Sequence, residues 1–339
     1  MSTTHTDLGH EVDRELAAAG SRGHRAVVAG VVRDGETLVR GWSADGPAPD
    51  ATTLFEIGSV TKVFTGVLLA DMHLRGEVSL DDPLSRHLPE PRPAWQHREP
   101  TLRELATHRS GLPNTPRPLH RRELAYALGW RRSDPWADVS GADYRRLVAQ
   151  ESPRRAPGTG SRYSSMAVGL LGDALAQRAG RTYEELLTER VLQPLGLTST
   201  WVTVPPERVH SLLGGHSSRG RPRPPLADLL LAGGSLRSCA ADVTRFLAAC
   251  LDPPDGPVGA ALRLAQQPHV RLGKRFQLGL CWIRSTHRRE LEVVWHNGGT
   301  WGFTSFAGFA PERGAAAVVL SNTARGVDRT GLRLLEGPR

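Results

Sequence analysis

Apolar residues alternate with period two at both ends of this chain and follow helical spacing between. This feature restricts the fold more than any other. Near the N-terminus, RAVVAGVVRDGETLVRGW (25–42) holds two β-rich runs around Asp34-Gly35, a pair suited to a two-residue hairpin turn. Toward the C-terminus, FQLGLCWIR (276–284), ELEVVWHNG (290–298), FTSFAGFA (303–310) and AAAVVLSN (315–322) read as four successive strands of an antiparallel meander. The economical solution is an α+β fold: one antiparallel sheet built from both termini, flanked by helices, with a mostly helical unit inserted. We expect residues 1–75 and 262–339 to form the sheet subdomain and residues 76–261 the inserted helical subdomain.

Several helices are expected. Residues 7–19 place Leu8, Val12, Leu16 and Ala19 on one side, and TTLFEI (52–57) is a short β run leading into a helix from Ser59 to about Leu74. That helix is apolar around most of its circumference, which predicts burial. TLRELATHRSGLP (101–113) reads as a short helix ending at Ser110-Gly111, and residues 166–180 and 182–196 as helices stopped by glycine. ADVTRFLAACL (241–251) carries Asp242 in its first turn, and GLRLLE (331–336) opens a terminal helix. The Arg/Pro stretch 218–225 reads as an exposed loop, and substrate specificity is expected in the loops 113–145 and 205–230.

Composition narrows the function classes. The chain has 339 residues, 39% of them hydrophobic, enough for a substantial core. Net charge is +8, yet the arginines are dispersed and no nucleic-acid-binding motif frames them, so no nucleic-acid partner is expected. The apolar runs are too short to span a bilayer, and the first residues lack a basic segment followed by an apolar one, which leads us to expect a cytoplasmic protein with no membrane partner. Three cysteines without CxxC spacing make neither a disulfide framework nor a metal site. His5, His10, His108 and His120 read as surface or loop residues rather than ligands.

One charge is placed against local electrostatics. Of 43 basic residues only Lys62 and Lys274 are lysines, and Lys62 lies in the first turn of the helix that opens at Ser59. A cation there opposes the helix dipole at a cost of about 0.3–1 kcal/mol at an exposed site. Ser59 and Lys62, three residues apart, share a helix face. A serine oxygen is a poor nucleophile without an adjacent base, and a desolvated amine is a candidate base. The helix N-terminus also favours an oxyanion forming near Ser59 N–H. On its own S-x-x-K is a weak signal, better accounted for by a serine cap followed by a surface lysine. Two further elements matter: Tyr163-Ser164-Ser165 at a loop-to-helix junction, and His296-Asn297-Gly298-Gly299 ending a hydrophobic strand. Glycines there let a ligand approach the backbone.

The order S-x-x-K, Y-x-S, H-x-G resembles the serine β-lactamase and penicillin-binding-protein superfamily, in particular its class C β-lactamase, DD-peptidase and family VIII esterase branch. Connecting segments share the resemblance: VVRDGETLVRGW, LRELATHRSGLP, PGTGSRYSSMAVGLLG, LQPLGLTST, AGGSLRSCAADVTRFL and WHNGGTWGFTS, together spanning about residues 25–338. The resemblance implies that Ser59 is acylated, that Lys62 and Tyr163 carry its proton as a coupled pair, and that backbone N–H of Ser59 and Gly299 form the oxyanion hole. Ser165, His296, Asn297 and Gly298 would contact substrate. In the family the third residue of the tyrosine motif is usually Asn, and the strand position of His296 is often Lys. A histidine offers positive charge only when protonated, so both departures lean toward esters or neutral amides. The resemblance implies no metal and no organic cofactor. The expected function is a serine hydrolase of carboxylesterase or amidase type acting on a small molecule. The alternatives are an acyltransferase, a DD-carboxypeptidase or β-lactamase, and a non-catalytic binding module on the same fold. Oligomeric state stays open.

Overall fold

The computed structural model describes residues 3–89, 92–128, 130, 133–227, 229, 231–287 and 290–337. Positions 129, 131–132, 228 and 230 of the two expected specificity loops lie outside them. The strands are β1 (Ala26–Arg33), β2 (Glu36–Ser43), β3 (Leu54–Glu56), β4 (Gly215–His216), β5 (Pro222–Arg223), β6 (Arg237–Cys239), β7 (Val270–Arg271), β8 (Phe276–Leu278), β9 (Ile283–Thr286), β10 (Glu292–Gly299), β11 (Thr304–Ala310) and β12 (Ala315–Ser321). The helices are α1 (Thr3–Ser21), α2 (Thr61–Leu74), α3 (Leu102–Ala106), α4 (Arg117–Ala127), α5 (Gly141–Ala149), α6 (Ser165–Ala179), α7 (Tyr183–Leu187), α8 (Leu231–Gly234), α9 (Ala240–Leu251), α10 (Pro257–Gln266) and α11 (Asp328–Glu336). None is long and apolar enough to cross a membrane, among the described residues.

The hairpin forms where its turn residues put it: Asp34 and Gly35 both take positive φ, 51° and 77°, and β1 pairs with β2 from Ala26↔Ser43 to Arg33↔Glu36. β1 then pairs antiparallel with β12, so the two chain ends share one eight-stranded sheet of order β2-β1-β12-β11-β10-β9-β8-β7. Both faces of that sheet are covered. On one side Leu8, Val12 and Leu16 of α1 and Leu334 and Leu335 of α11 pack on Val27, Val31 and Val319. On the other, Val28, Val318 and Phe309 meet Phe246 of α9 and the core around α2.

Three expectations need correction. FQLGLCWIR is not one strand but the hairpin β8–β9. Cys281 adopts φ 61°, and Gly279 N–H donates to Trp282 O at 2.8 Å, closing the turn. The short helix expected to end at Ser110-Gly111 stops at Ala106, because His108 takes φ 57° and ends the helical path. The helix expected over 182–196 is α-helical only to Leu187. It then widens into a π turn over Thr188–Leu192, ahead of Pro194, whose ring cannot donate to the helical ladder. Within the Arg/Pro loop 218–225, Pro222–Arg223 forms β5 beside β4.

α2 runs through the centre of the molecule with every residue from Thr61 to Met72 buried. Phe64 on α2 stacks on Phe246 of α9 at 4.2 Å between ring centroids, and Phe246 stacks in turn on Trp282 at 6.1 Å. This aromatic column ties the central helix to the sheet. We expect Phe246→Ala to destabilise the fold by about 3–5 kcal/mol, seen as a lower urea midpoint at unchanged slope.

Candidate active site

Ser59 sits in a 3₁₀ turn, Gly58–Val60, that feeds directly into α2. No side chain caps this helix start and no acidic residue occupies its first turn. Gly58 explains the local geometry. Its φ is +50°, and a Cβ there would lie 2.8 Å from both N and O of Gly299. The turn carrying Ser59 is therefore pressed against the end of β10, closer than any side chain would allow. Ser305 Oγ secures the approach by donating to Ile57 O at 2.7 Å.

Lys62 is fully buried, and its Nζ lies 2.8 Å from Ser59 Oγ and 2.5 Å from Gly233 O. Among the described residues no carboxylate lies within ion-pair distance of it. Small residues make this possible. A Cβ on Gly233 would meet Ser165 O at 2.7 Å, and one on Gly172 would meet the Ala232 Cβ at 2.1 Å. α8 thus lies flat on α6, and the start of α6 comes up beside the start of α2. Ser164 caps α6 by accepting from Ala167 N–H at 2.9 Å and donating to Pro113 O at 2.6 Å. Tyr163, just before the cap, then projects at the cleft with its ring centroid 5.0 Å from Lys62 Nζ. The contact is Nζ over the ring face, and Tyr163 is 41% exposed.

His296 on β10 is buried, its ring 6.0 Å from that of Tyr163. Its Nδ1 donates to Asn297 O at 2.6 Å, which leaves Nε2 as a lone-pair acceptor, buried and without a partner. Burial first, and the Lys62 charge second, push its pKa down to about 3. This imidazole is neutral across the ordinary pH range, so the strand position supplies no cation. Asn297 alternates to the other side of the strand, where its Nδ2 donates to Asp328 Oδ2 at 3.1 Å. Strand periodicity turns this side chain, of a residue expected beside the substrate, away from the cleft. Gly298 is needed for packing, since a Cβ would reach within 2.1 Å of Ile57 O. Ser165 and Gly299 do line the cleft.

β9 pairs with β10 only as far as Trp295, whereas β11 follows β10 to Gly299. Residues 296–299 therefore present an open strand edge beside Ser59. The cleft here has a volume of about 420 Å³. Its floor is Ser59, Tyr163, Ser165 and Gly299, and its far wall Trp136 and Trp301, whose rings meet edge to face at 5.9 Å.

Sequence reasoning missed three residues of this arrangement. Gly233 provides the second acceptor for Lys62, and only the Ala-Gly-Gly run marked it. Asn114 Oδ1 accepts from Ser165 N–H at 3.0 Å and its O from Met166 N–H at 3.0 Å, holding the tyrosine loop. His108, expected at the surface or in a loop, is buried. It packs on the Tyr163 ring at 4.5 Å and accepts from Ser164 N–H at 3.3 Å. His120 is exposed.

An antiparallel sheet shared by both termini, with a serine–lysine pair at the head of a buried helix beneath it, defines the β-lactamase/transpeptidase-like architecture of serine hydrolases. The chain belongs to the Beta-lactamase family, whose model matches residues 12–336. It is 28% identical over 303 residues to a β-lactamase of Escherichia coli (strain K12), covering 80% of this chain and 75% of that protein. It is also 28% identical over 290 residues to the D-alanyl-D-alanine-carboxypeptidase/endopeptidase AmpH of the same strain, covering 80% and 71%. A Pseudomonas fluorescens β-lactamase is 25% identical over 314 residues, covering 80% and 79%.

The buried neutral His296 makes stability depend on pH. An unfolded histidine titrates near 6.5, whereas the folded one titrates at about 3. The unfolded state therefore binds the extra proton between these values, and stability falls as pH drops from about 6.5 toward 3. His24, lowered to about 4 by burial and then by Arg22, acts in the same direction. We expect His296→Gln to lose less stability than the wild type between pH 7.5 and pH 5, measured by urea unfolding at each pH.

Proposed function

We propose that this protein hydrolyses, through an acyl-enzyme on Ser59, an ester or amide that places no charged group at the β10 edge. The observation that carries the reading is the 2.8 Å contact between Ser59 Oγ and Nζ of the fully buried Lys62, at the edge of an open cleft. Ser59 Oγ attacks the carbonyl carbon, and its proton passes to the Lys62–Tyr163 pair. The same pair returns the proton to the leaving group as the scissile bond breaks. Backbone N–H of Ser59 and Gly299 receive the developing oxyanion. Water then attacks the acyl carbon, gives its proton to the pair, and Ser59 Oγ recovers one as it departs. Among neutral and charged substrates, the uncharged His296 favours those without a carboxylate at the β10 edge.

A second reading, β-lactam or D-alanyl-D-alanine peptide hydrolysis, is favoured by the names of the relatives. Nitrocefin and a D-Ala-D-Ala peptide, assayed beside short p-nitrophenyl esters, separate the two. We expect ester turnover that Ser59→Ala abolishes. Lys62→Arg keeps a cation but cannot readily release a proton, so it should lower kcat by on the order of 10²–10⁴-fold. Near-normal turnover by Lys62→Arg contradicts the role given to Lys62. Gly58→Ala, which forces the turn away from Gly299, should lower kcat by on the order of 10²-fold, the loss typical of one oxyanion donor.

A further inference from the structure

A second cavity, of about 510 Å³, opens on the far side of Tyr163 and meets the cleft at Asn114, Thr115, His120 and Tyr163, which line both. Five of its lining residues are arginines: Arg117, Arg121, Arg154, Arg155 and Arg162. The one carboxylate lining it, Glu151, is already engaged. It lies 3.5 Å from the Arg117 guanidinium and accepts from Arg117 N–H at 2.8 Å. The other four guanidiniums make no ion pair among the described residues. Some exposed arginines elsewhere are paired, as Arg98 is with Glu104 at 2.5 Å and Arg275 with Glu290 at 3.1 Å, but what sets these four apart is that they line one cavity beside the cleft. On the cleft side the half-buried Glu123 is engaged as well: its Oε2 accepts from Thr115 Oγ1 at 3.0 Å and lies 3.6 Å from His120 Nδ1.

Four unpaired guanidiniums around one concavity repel each other and present planar donor forks matched to carboxylate or phosphate oxygens. The opposite end of the cleft, at His296, carries no cation. The exposed positive charge beside this cleft therefore lies at the tyrosine loop and not at the β10 edge.

We propose that the arginine-lined cavity is a substrate subsite for an oxyanion, so that the ester or amide cleaved at Ser59 carries a carboxylate or phosphate group reaching past Tyr163. This inference rests on the hydrolase reading above and names its substrate class. The test uses p-nitrophenyl esters of one chain length ending in a carboxylate, a phosphonate or a neutral methyl ester, and it reads the ratio of kcat/KM for charged over neutral. The wild type should favour a charged ester by about 10-fold or more, the scale of a charge-assisted contact. Arg154→Gln/Arg162→Gln should bring that ratio close to unity, and Arg121→Gln should lower it part of the way. Raising salt should reduce the ratio in the wild type, because these guanidiniums are exposed. A phosphonate preferred over a carboxylate assigns the site to phosphate, and the reverse assigns it to carboxylate. A wild-type ratio at or below unity, or one unchanged in both variants, overturns the subsite while leaving ester hydrolysis in place. Loss of Ser59-dependent turnover for every ester overturns the hydrolase reading and the subsite with it.

Discussion

The site depends on one buried amine. Lys62 has no exposed surface, and its two partners are an alcohol and a peptide carbonyl, Ser59 Oγ and Gly233 O. A buried polar group without hydrogen bonds costs several kcal/mol, so those two contacts must be held by the surrounding fold. The glycines of α8 and α6 let the Gly233 carbonyl come close enough. Gly58 and Gly298 let the serine turn meet the end of β10. Placing the amine at a helix start, where the dipole opposes its charge, is therefore a local conflict that the packing of three elements sustains. Local rules are most often broken at functional sites.

Much of this was legible from the sequence because it followed short-range rules. The Asp34-Gly35 hairpin, the buried helix after Ser59 and the strands on either side of His296 each announce themselves by turn chemistry or apolar period. The sharing of one sheet by both termini follows from strand counting. What was not legible depends on which side of an element a residue meets in three dimensions. Asn297 follows His296 in the motif, yet alternation on β10 directs it to Asp328. His108 stands between the polar Thr107 and Arg109, which do not mark it as buried, and the left-handed turn ending α3 brings it against the Tyr163 ring. Asn114 lies in a Pro-rich loop, where its acceptance from Ser165 N–H has no sequence signature.

The distribution of charge around the cleft follows from the same packing. Sealing His296 against Lys62 and Tyr163 removes a cation from the strand edge. The arginines of the 154–162 segment and of Arg121 on α4 surround the adjoining cavity and are partly solvated, where guanidinium charge is retained at little desolvation cost. A neutral strand edge, an aromatic wall of Trp136 and Trp301 and a basic cavity beyond Tyr163 together describe the chemistry this site is shaped to accept.

The central claim is that Ser59 is a nucleophile activated by Lys62. Mass spectrometry of the intact protein and its peptides after treatment with a fluorophosphonate or a penicillin probe tests it most directly. A single adduct on the peptide containing Ser59, formed much more slowly in Lys62→Arg, is the result the account predicts. No adduct, or one on another serine at the same rate in both proteins, would contradict it.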